Sequence, residues 1–100
     1  MFLSFPCCSA HTYSGLNGLR DGFLDWLAPW ASYRTEIERL IDLGERVVLL
    51  FPDYARRELG VPEVELMGGT IFSVRDRRIV RIDFYAGGRA EALASVGLAE

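Results

Sequence analysis

His11, Ser14 and the string Gly15-Leu16-Asn17-Gly18 are the first residues whose types suggest chemistry. General acid–base catalysis needs a titratable group held in a pocket with a shifted pKa. His11 is the sole histidine and lies in a stretch without clear periodicity, so a surface or packing role competes with catalysis there. Ser14 near His11 does not make a triad, because no third residue orients the base and sequence spacing does not set side-chain geometry. The glycine string lacks the partner residues of a phosphate-cradling loop. Glu63 and Glu65 share one face of a strand and suit either weak cation contact or a solvated acidic face. Arg56-Arg57 suits an anion contact or a solvated loop tip. Cys7 and Cys8 are adjacent and poorly placed to bridge each other, since disulfide geometry wants Cα atoms ~5.5 Å apart. No disulfide framework, metal site or cofactor is predicted.

Charge and composition narrow the classes further. All eleven basic residues are arginine, which removes chemistry that depends on a lysine Schiff base or a P-loop lysine. The net charge of −3 offers no cationic excess to neutralise phosphates, so no nucleic-acid partner is expected. Met1 to Pro6 is apolar but short, without the basic leader and apolar core of a signal peptide. No run approaches the ~20 apolar residues of a membrane span. The expectation is a cytoplasmic chain with no membrane partner. Half the residues are apolar and a quarter charged, a globular balance. A single domain of this size buries roughly 60–70% of the surface its unfolded chain exposes. Such a core is adequate but not generous, which points to a partner subunit.

The elements that must position these residues follow from periodicity. Residues 1–11 read as an irregular N-terminal segment. A helix then begins near Asn17, a fair N-cap, and carries Leu19, Phe23, Trp26, Leu27 and Trp30 at helical spacing, with Pro29 near its end. Strand character starts at Tyr33 and continues to Leu43, where Asp42-Leu43-Gly44-Glu45 signals a hairpin. Arg46 to Phe51 reads as a buried strand, and Pro52 to Gly60 as a long polar loop carrying Asp53, Arg56 and Arg57. A third strand spans about Glu63 to Val74, with a bulge or bend expected at Gly68-Gly69. After a turn at Arg75 to Arg78, a fourth strand points Val80, Ile82 and Phe84 inward. Arg89 to Val96 closes the chain as a helix with Gly97 at its C′ position. The fold class is α+β: a curved antiparallel sheet of about four strands, an N-terminal amphipathic helix and a short C-terminal helix. The inward set Trp26, Trp30, Phe51, Phe72, Ile82 and Phe84 suits a pocket for a hydrophobic small molecule, and equally an ordinary core.

Several strings, in this order and spacing, resemble the SnoaL-like branch of the nuclear transport factor 2-like superfamily. They are Tyr13-Ser14-Gly15, Ile41-Asp42-Leu43-Gly44-Glu45-Arg46-Val47-Val48, Val74 to Arg81, Phe84-Tyr85 and Glu91-Ala92-Leu93. The resemblance covers roughly residues 12–98 of a domain spanning 12–100. It implies a cone-shaped, cystatin-like roll in which a bent sheet encloses an apolar pocket, here partial, because Met1 to His11 stand where the family carries two helices and a short strand. It also implies a pocket-facing acid five residues after Ile79, a position held here by Phe84. Asp83 is one residue away, and that shift puts a side chain on the opposite face. Asp83 thus reads as an exposed strand residue paired with a neighbouring arginine, with a catalytic role the alternative. Asp76-Arg77-Arg78 replaces the family's usual Asp-Gly-Lys turn, so a left-handed Arg77 would cost about 1 kcal/mol relative to glycine. The superfamily includes ketosteroid isomerases, polyketide cyclases, epoxide hydrolases and non-catalytic binding domains, so fold alone does not choose the function. The leading expectation is a homodimeric SnoaL-like domain that binds a hydrophobic small molecule or acts as an accessory domain. One alternative is a cyclase- or isomerase-type enzyme on a polyketide- or steroid-like substrate, with Asp83 or His11 as base. The other is a truncated homologue serving mainly as a dimerisation module.

Overall fold

A computed structural model describes residues 1–6 and 11–99; Cys7 and Cys8 lie outside the described residues. In chain order the elements are β1 (Phe2–Ser4), β2 (Thr12–Ser14), α1 (Gly15–Leu27), β3 (Ser32–Thr35), β4 (Arg39–Asp42), β5 (Arg46–Arg56), β6 (Val64–Arg75), β7 (Arg78–Tyr85) and α2 (Arg89–Ser95). The α+β class holds, but among the described residues the sheet has seven strands rather than four. Its order is β2-β1-β7-β6-β5-β3, with β4 also paired to β5. It is mixed rather than antiparallel, because β1 runs parallel to β7. The sheet curls strongly into a half-barrel.

The extra strands are short or interrupted, which is why periodicity did not show them. The stretch read as irregular over residues 1–11 contains β1, whose Leu3 pairs with Ile82 and is 1% exposed. Three residues cannot display a period; non-local pairing and burial define this strand instead. The strand expected from Tyr33 to Leu43 is split into β3 and β4, both on one edge of β5.

That split explains a second correction. β5 does not stop at Phe51 but runs through Pro52 to Arg56. The Pro52 carbonyl accepts a hydrogen bond from the Glu36 N–H at 3.2 Å. In an antiparallel ladder a residue's N–H and C=O leave on the same side. The missing donor of Pro52 therefore faces the gap between β3 and β4, where no ladder partner needs it. Gly68 and Gly69 also differ from expectation. The β5–β6 register runs unbroken through both, and the irregularity lies instead at Ser73/Val74 against β7.

Two cores pack on the two sheet faces. Leu3, Phe5, Phe51, Ile82 and Phe84 form one beneath α1. Val48, Leu50, Ile71, Ala92 and Leu93 form the other beneath α2. Strand alternation distributes β5 between them, so its apolar run is buried on both sides. α1 starts at Gly15, with Ser14 rather than Asn17 at its N-cap, and lies very close to β1 and β2. A Cβ on Gly22 would fall 2.7 Å from Leu3 Cδ2 and 3.0 Å from the Tyr13 ring, so glycine is what permits the approach. On the other face α2 ends as the sequence predicts. The Gly97 N–H donates to the Ala94 carbonyl and the Leu98 N–H to the Leu93 carbonyl, a Schellman closure. The β6–β7 turn places both Asp76 and Arg77 at positive φ, the geometry that matches the twist of the flanking strands.

Candidate functional site

Three strands and one helix build an apolar hollow on the α1 face. β5 supplies Leu49 and Phe51, β6 supplies Thr70 and Phe72, and β7 supplies Ile82 and Phe84. Cross-strand pairing of Leu49 with Thr70, Thr70 with Phe84 and Phe72 with Ile82 puts these side chains on one surface. Leu19 and Phe23 of α1 cover them, and Thr35 of β3 closes one side. The cavity measures about 270 Å³. Among its described lining residues, Thr35 and Thr70 alone carry polar side-chain atoms. Phe84 is the hub of the wall, with ring centroids 5.6 Å from Phe5, 5.6 Å from Phe51, 5.8 Å from Trp26 and 6.0 Å from Phe23. These separations lie in the favourable range for aromatic pairs.

A second hollow of about 380 Å³ lies further along the same face, lined by Trp30, Ala55, Arg57, Val61, Pro62, Val64 and Leu66. The Arg57 guanidinium sits 5.0 Å from the Trp30 ring centroid, a cation–π contact.

Between the two hollows stands Asp53. Its same-face neighbours on β5 are Phe51, which lines the first, and Ala55, which lines the second. Its cross-strand partners are Thr35, on the first cavity, and Leu66, on the second. Asp53 is 0% exposed. The Tyr33 hydroxyl donates to one carboxylate oxygen and the Thr35 hydroxyl to the other. Burial pushes the Asp53 carboxyl above its usual range, and the two hydroxyl donors counter part of that rise. The Tyr33 phenol is pushed up too, first by burial and then by the neighbouring carboxylate. The Trp26 indole N–H near Tyr33 opposes this rise but is buried without reaching hydrogen-bond geometry. The acid is therefore sealed into a dividing wall, and its nearest group on the first cavity is the Thr35 hydroxyl.

The expected site residues separate accordingly. Phe51, Phe72, Ile82 and Phe84 line the first cavity, and Trp30 lines the second. Trp26 lines neither; it stacks on Phe5 at 5.9 Å and meets Tyr33 edge-on at 6.3 Å. Asp83 projects from the face opposite Ile82 and Phe84. There it pairs with Arg81 at 2.9 Å, as strand parity predicts, and accepts a hydrogen bond from the Ser4 hydroxyl. It does not reach the α1-face cavity. His11 is exposed and meets the Tyr13 ring edge-on at 4.5 Å, away from both cavity linings. Glu63 is drawn into ion pairs with Arg34 at 3.4 Å and Arg56 at 3.9 Å rather than presented with Glu65 to a cation. Asp53 is the buried residue that the sequence does not single out, because Pro52 is ordinarily a reason to end a strand and the polar residues after it read as a loop. The available signal was the continued alternation Leu49, Phe51, Asp53, Ala55.

No family model matches the sequence, and no curated protein matches it. Solved structures do. A protein from Jannaschia sp. CCS1, provisionally assigned as a SnoaL-like polyketide cyclase, aligns over 99% of this chain and 69% of its own at 16% identity and TM-score 0.72. A Catenulispora acidiphila DSM 44928 protein with a ketosteroid isomerase-like fold, in complex with trimethylamine, aligns over 97% of this chain and 73% of its own at 15% identity and TM-score 0.73. This is the nuclear transport factor 2-like fold. TerC, co-crystallised with polyporic acid, shares it over 86% of this chain and 69% of its own, at 15% identity and TM-score 0.71. The superpositions establish the nuclear transport factor 2-like architecture, and identity this low carries no substrate across. Among the described residues, no helix is long and apolar enough to cross a membrane. Nor is there, among them, a group of three or more His, Cys, Asp or Glu able to hold a metal ion.

Proposed function

We propose that this chain is a receptor for a compact, apolar small molecule, held in the α1-face cavity against Phe84. The observation that carries the reading is the composition of the lining: seven apolar side chains and two threonines around about 270 Å³. Ligand pockets typically span about 300–1,000 Å³ and fix orientation with a few polar groups. This cavity, at about 270 Å³, falls just below that range, which favours a ligand of one or two rings over a tetracyclic one. Thr35 and Thr70 supply the orienting hydroxyls. The small molecules crystallised with TerC and with the Catenulispora protein are consistent with a ligand-holding use of this fold.

The test is a fluorescence titration with N-phenyl-1-naphthylamine, a neutral two-ring reporter. Leu49→Trp fills the cavity from its wall and is expected to weaken binding at least tenfold. Undiminished binding by a folded Leu49→Trp variant sinks the proposal.

A second reading, a cyclase- or isomerase-type enzyme on a polyketide- or steroid-like substrate, draws on one observation. The Thr35 hydroxyl both lines the cavity and contacts the buried Asp53 carboxylate, so a proton could pass through a single hydroxyl. Under this reading Asp53→Asn abolishes turnover of a substrate that still binds. Turnover that survives the substitution removes Asp53 as the base.

A further inference from the structure

The α2 face carries a separate groove of about 390 Å³. Its floor is apolar, from Ile41, Leu93 and Leu98, and its polar side holds Arg39, Arg89 and Glu38. Two cations thus face one carboxylate. Arg89 is the unusual member. Its side chain is 12% exposed, and its Nη1 donates to Glu38 Oε2 at 2.8 Å. Its Nε and Nη2 are buried without a hydrogen-bond partner. A guanidinium prefers a two-point fork with a carboxylate, and buried unpaired donors on a charged group cost stability. Glu38 makes a one-point contact because it is tethered to the segment joining β3 and β4, where its own N–H is committed to the Leu50 carbonyl at 2.9 Å. Its side chain is 48% exposed and so can leave without being drawn through the core.

We infer that this groove is a binding site for an apolar-tailed carboxylate, whose head group displaces Glu38 from Arg89. A free carboxylate has no tether and can take Nη1 and Nη2 together, satisfying a donor that Glu38 leaves unpaired. Its hydrocarbon tail lies along Ile41, Leu93 and Leu98. Glu38 holds the place of the ligand in the empty protein. The site is on the opposite side of the sheet from the α1-face cavity and does not depend on it.

The experiment is calorimetric titration with octanoate, and with 1-octanol as the uncharged control, on the whole chain and two variants. Octanoate is expected to bind at least tenfold more tightly than octanol. Arg89→Gln is expected to lose at least tenfold in octanoate affinity. Glu38→Gln removes the internal competitor and is expected to gain several-fold. Equal affinity for octanol and octanoate, or octanoate affinity unmoved by Glu38→Gln, overturns the inference. Should Arg89→Gln fail to fold, the exposed Glu38→Gln substitution decides alone. Leu49→Trp, which fills the other cavity, should leave the response to Glu38→Gln intact; if it abolishes that response, the octanoate was in the α1-face cavity and the inference falls.

Discussion

The two faces of the sheet solve the same burial problem in opposite ways. The α1 face uses large rings, with Phe5, Phe51, Phe84 and Trp26 in contact, and leaves one hollow against Phe51 and Phe84 and another beside Trp30. The α2 face uses aliphatic side chains at close range, Leu50, Ile71 and Leu93 among them, with Val48 and Ala92 both 0% exposed and Ala92 pressed against Gly69. Rigid rings fill a curved surface less closely than branched aliphatic chains do. One face thus has room for a ligand within its core, while the other keeps its groove outside, along a charged rim.

The sharpest way to break this contrast is to remove the hub ring. Phe84→Ala is expected to cost about 3–5 kcal/mol, because four ring contacts vanish and the cavity grows. Urea unfolding measures it, and a loss under 1 kcal/mol would show that the α1 face is not held by Phe84. Adding bulk should discriminate in the other direction. Gly69→Val places atoms where a Cβ already falls 3.1 Å from Ala92 and 3.3 Å from Leu50, so about 1–3 kcal/mol of overpacking is expected. Leu49→Phe grows into the α1-face cavity and should cost less than about 1.5 kcal/mol. Equal costs for the two would erase the distinction.

The dividing wall makes a prediction in pH. The folded Asp53 carboxyl is pushed above its unfolded value, so the folded state holds that proton longer. Where the native state binds more protons, stability falls as pH rises. The Asp53 contribution is fully favourable below the unfolded value of about 4 and is lost as pH climbs through the raised folded one. Asp53→Asn should flatten that decline while keeping a hydrogen-bonding partner for Tyr33 and Thr35. An unchanged slope of stability against pH would place the acid elsewhere. The smallest effect belongs to the β6–β7 turn, away from both faces. Arg77→Gly relieves a positive φ of 63° and should stabilise by about 1 kcal/mol; a shift to lower Tm would contradict the turn geometry.

Legibility in the sequence followed the length of each signal. Ile82 and Phe84 point inward on β7 as alternation predicts, but Val80 does not: it falls at the Ser73/Val74 register shift and is 37% exposed. Gly97 after a short apolar helix predicts the Schellman closure that α2 shows. A left-handed Arg77 is what the resemblance implies, through the family's Asp-Gly-Lys turn, and its φ is 63°. β1 was not readable, because three residues carry no period and its parallel partner lies about eighty positions away. Pro52 concealed the second half of β5, since a proline is ordinarily a reason to end a central strand. That error hid Asp53, whose polarity suited a loop while its parity suited the core. The cavity walls were half visible: the inward residues of β5, β6 and β7 followed from alternation, but Thr35 and the α1 cover depend on tertiary placement.

The break between β3 and β4 opposite Pro52 also bears on how molecules of this chain meet one another. A long uninterrupted edge strand is a template for adding further strands, and so for fibrillar aggregation. Here one border of the sheet offers the four residues of β3 and, separately, the four of β4, while the other border offers the three of β2. Among the described residues, an incoming chain finds no long ladder to extend at either border. The interruption that accommodates one proline thereby guards a strongly apolar, strand-rich chain against polymerising with itself.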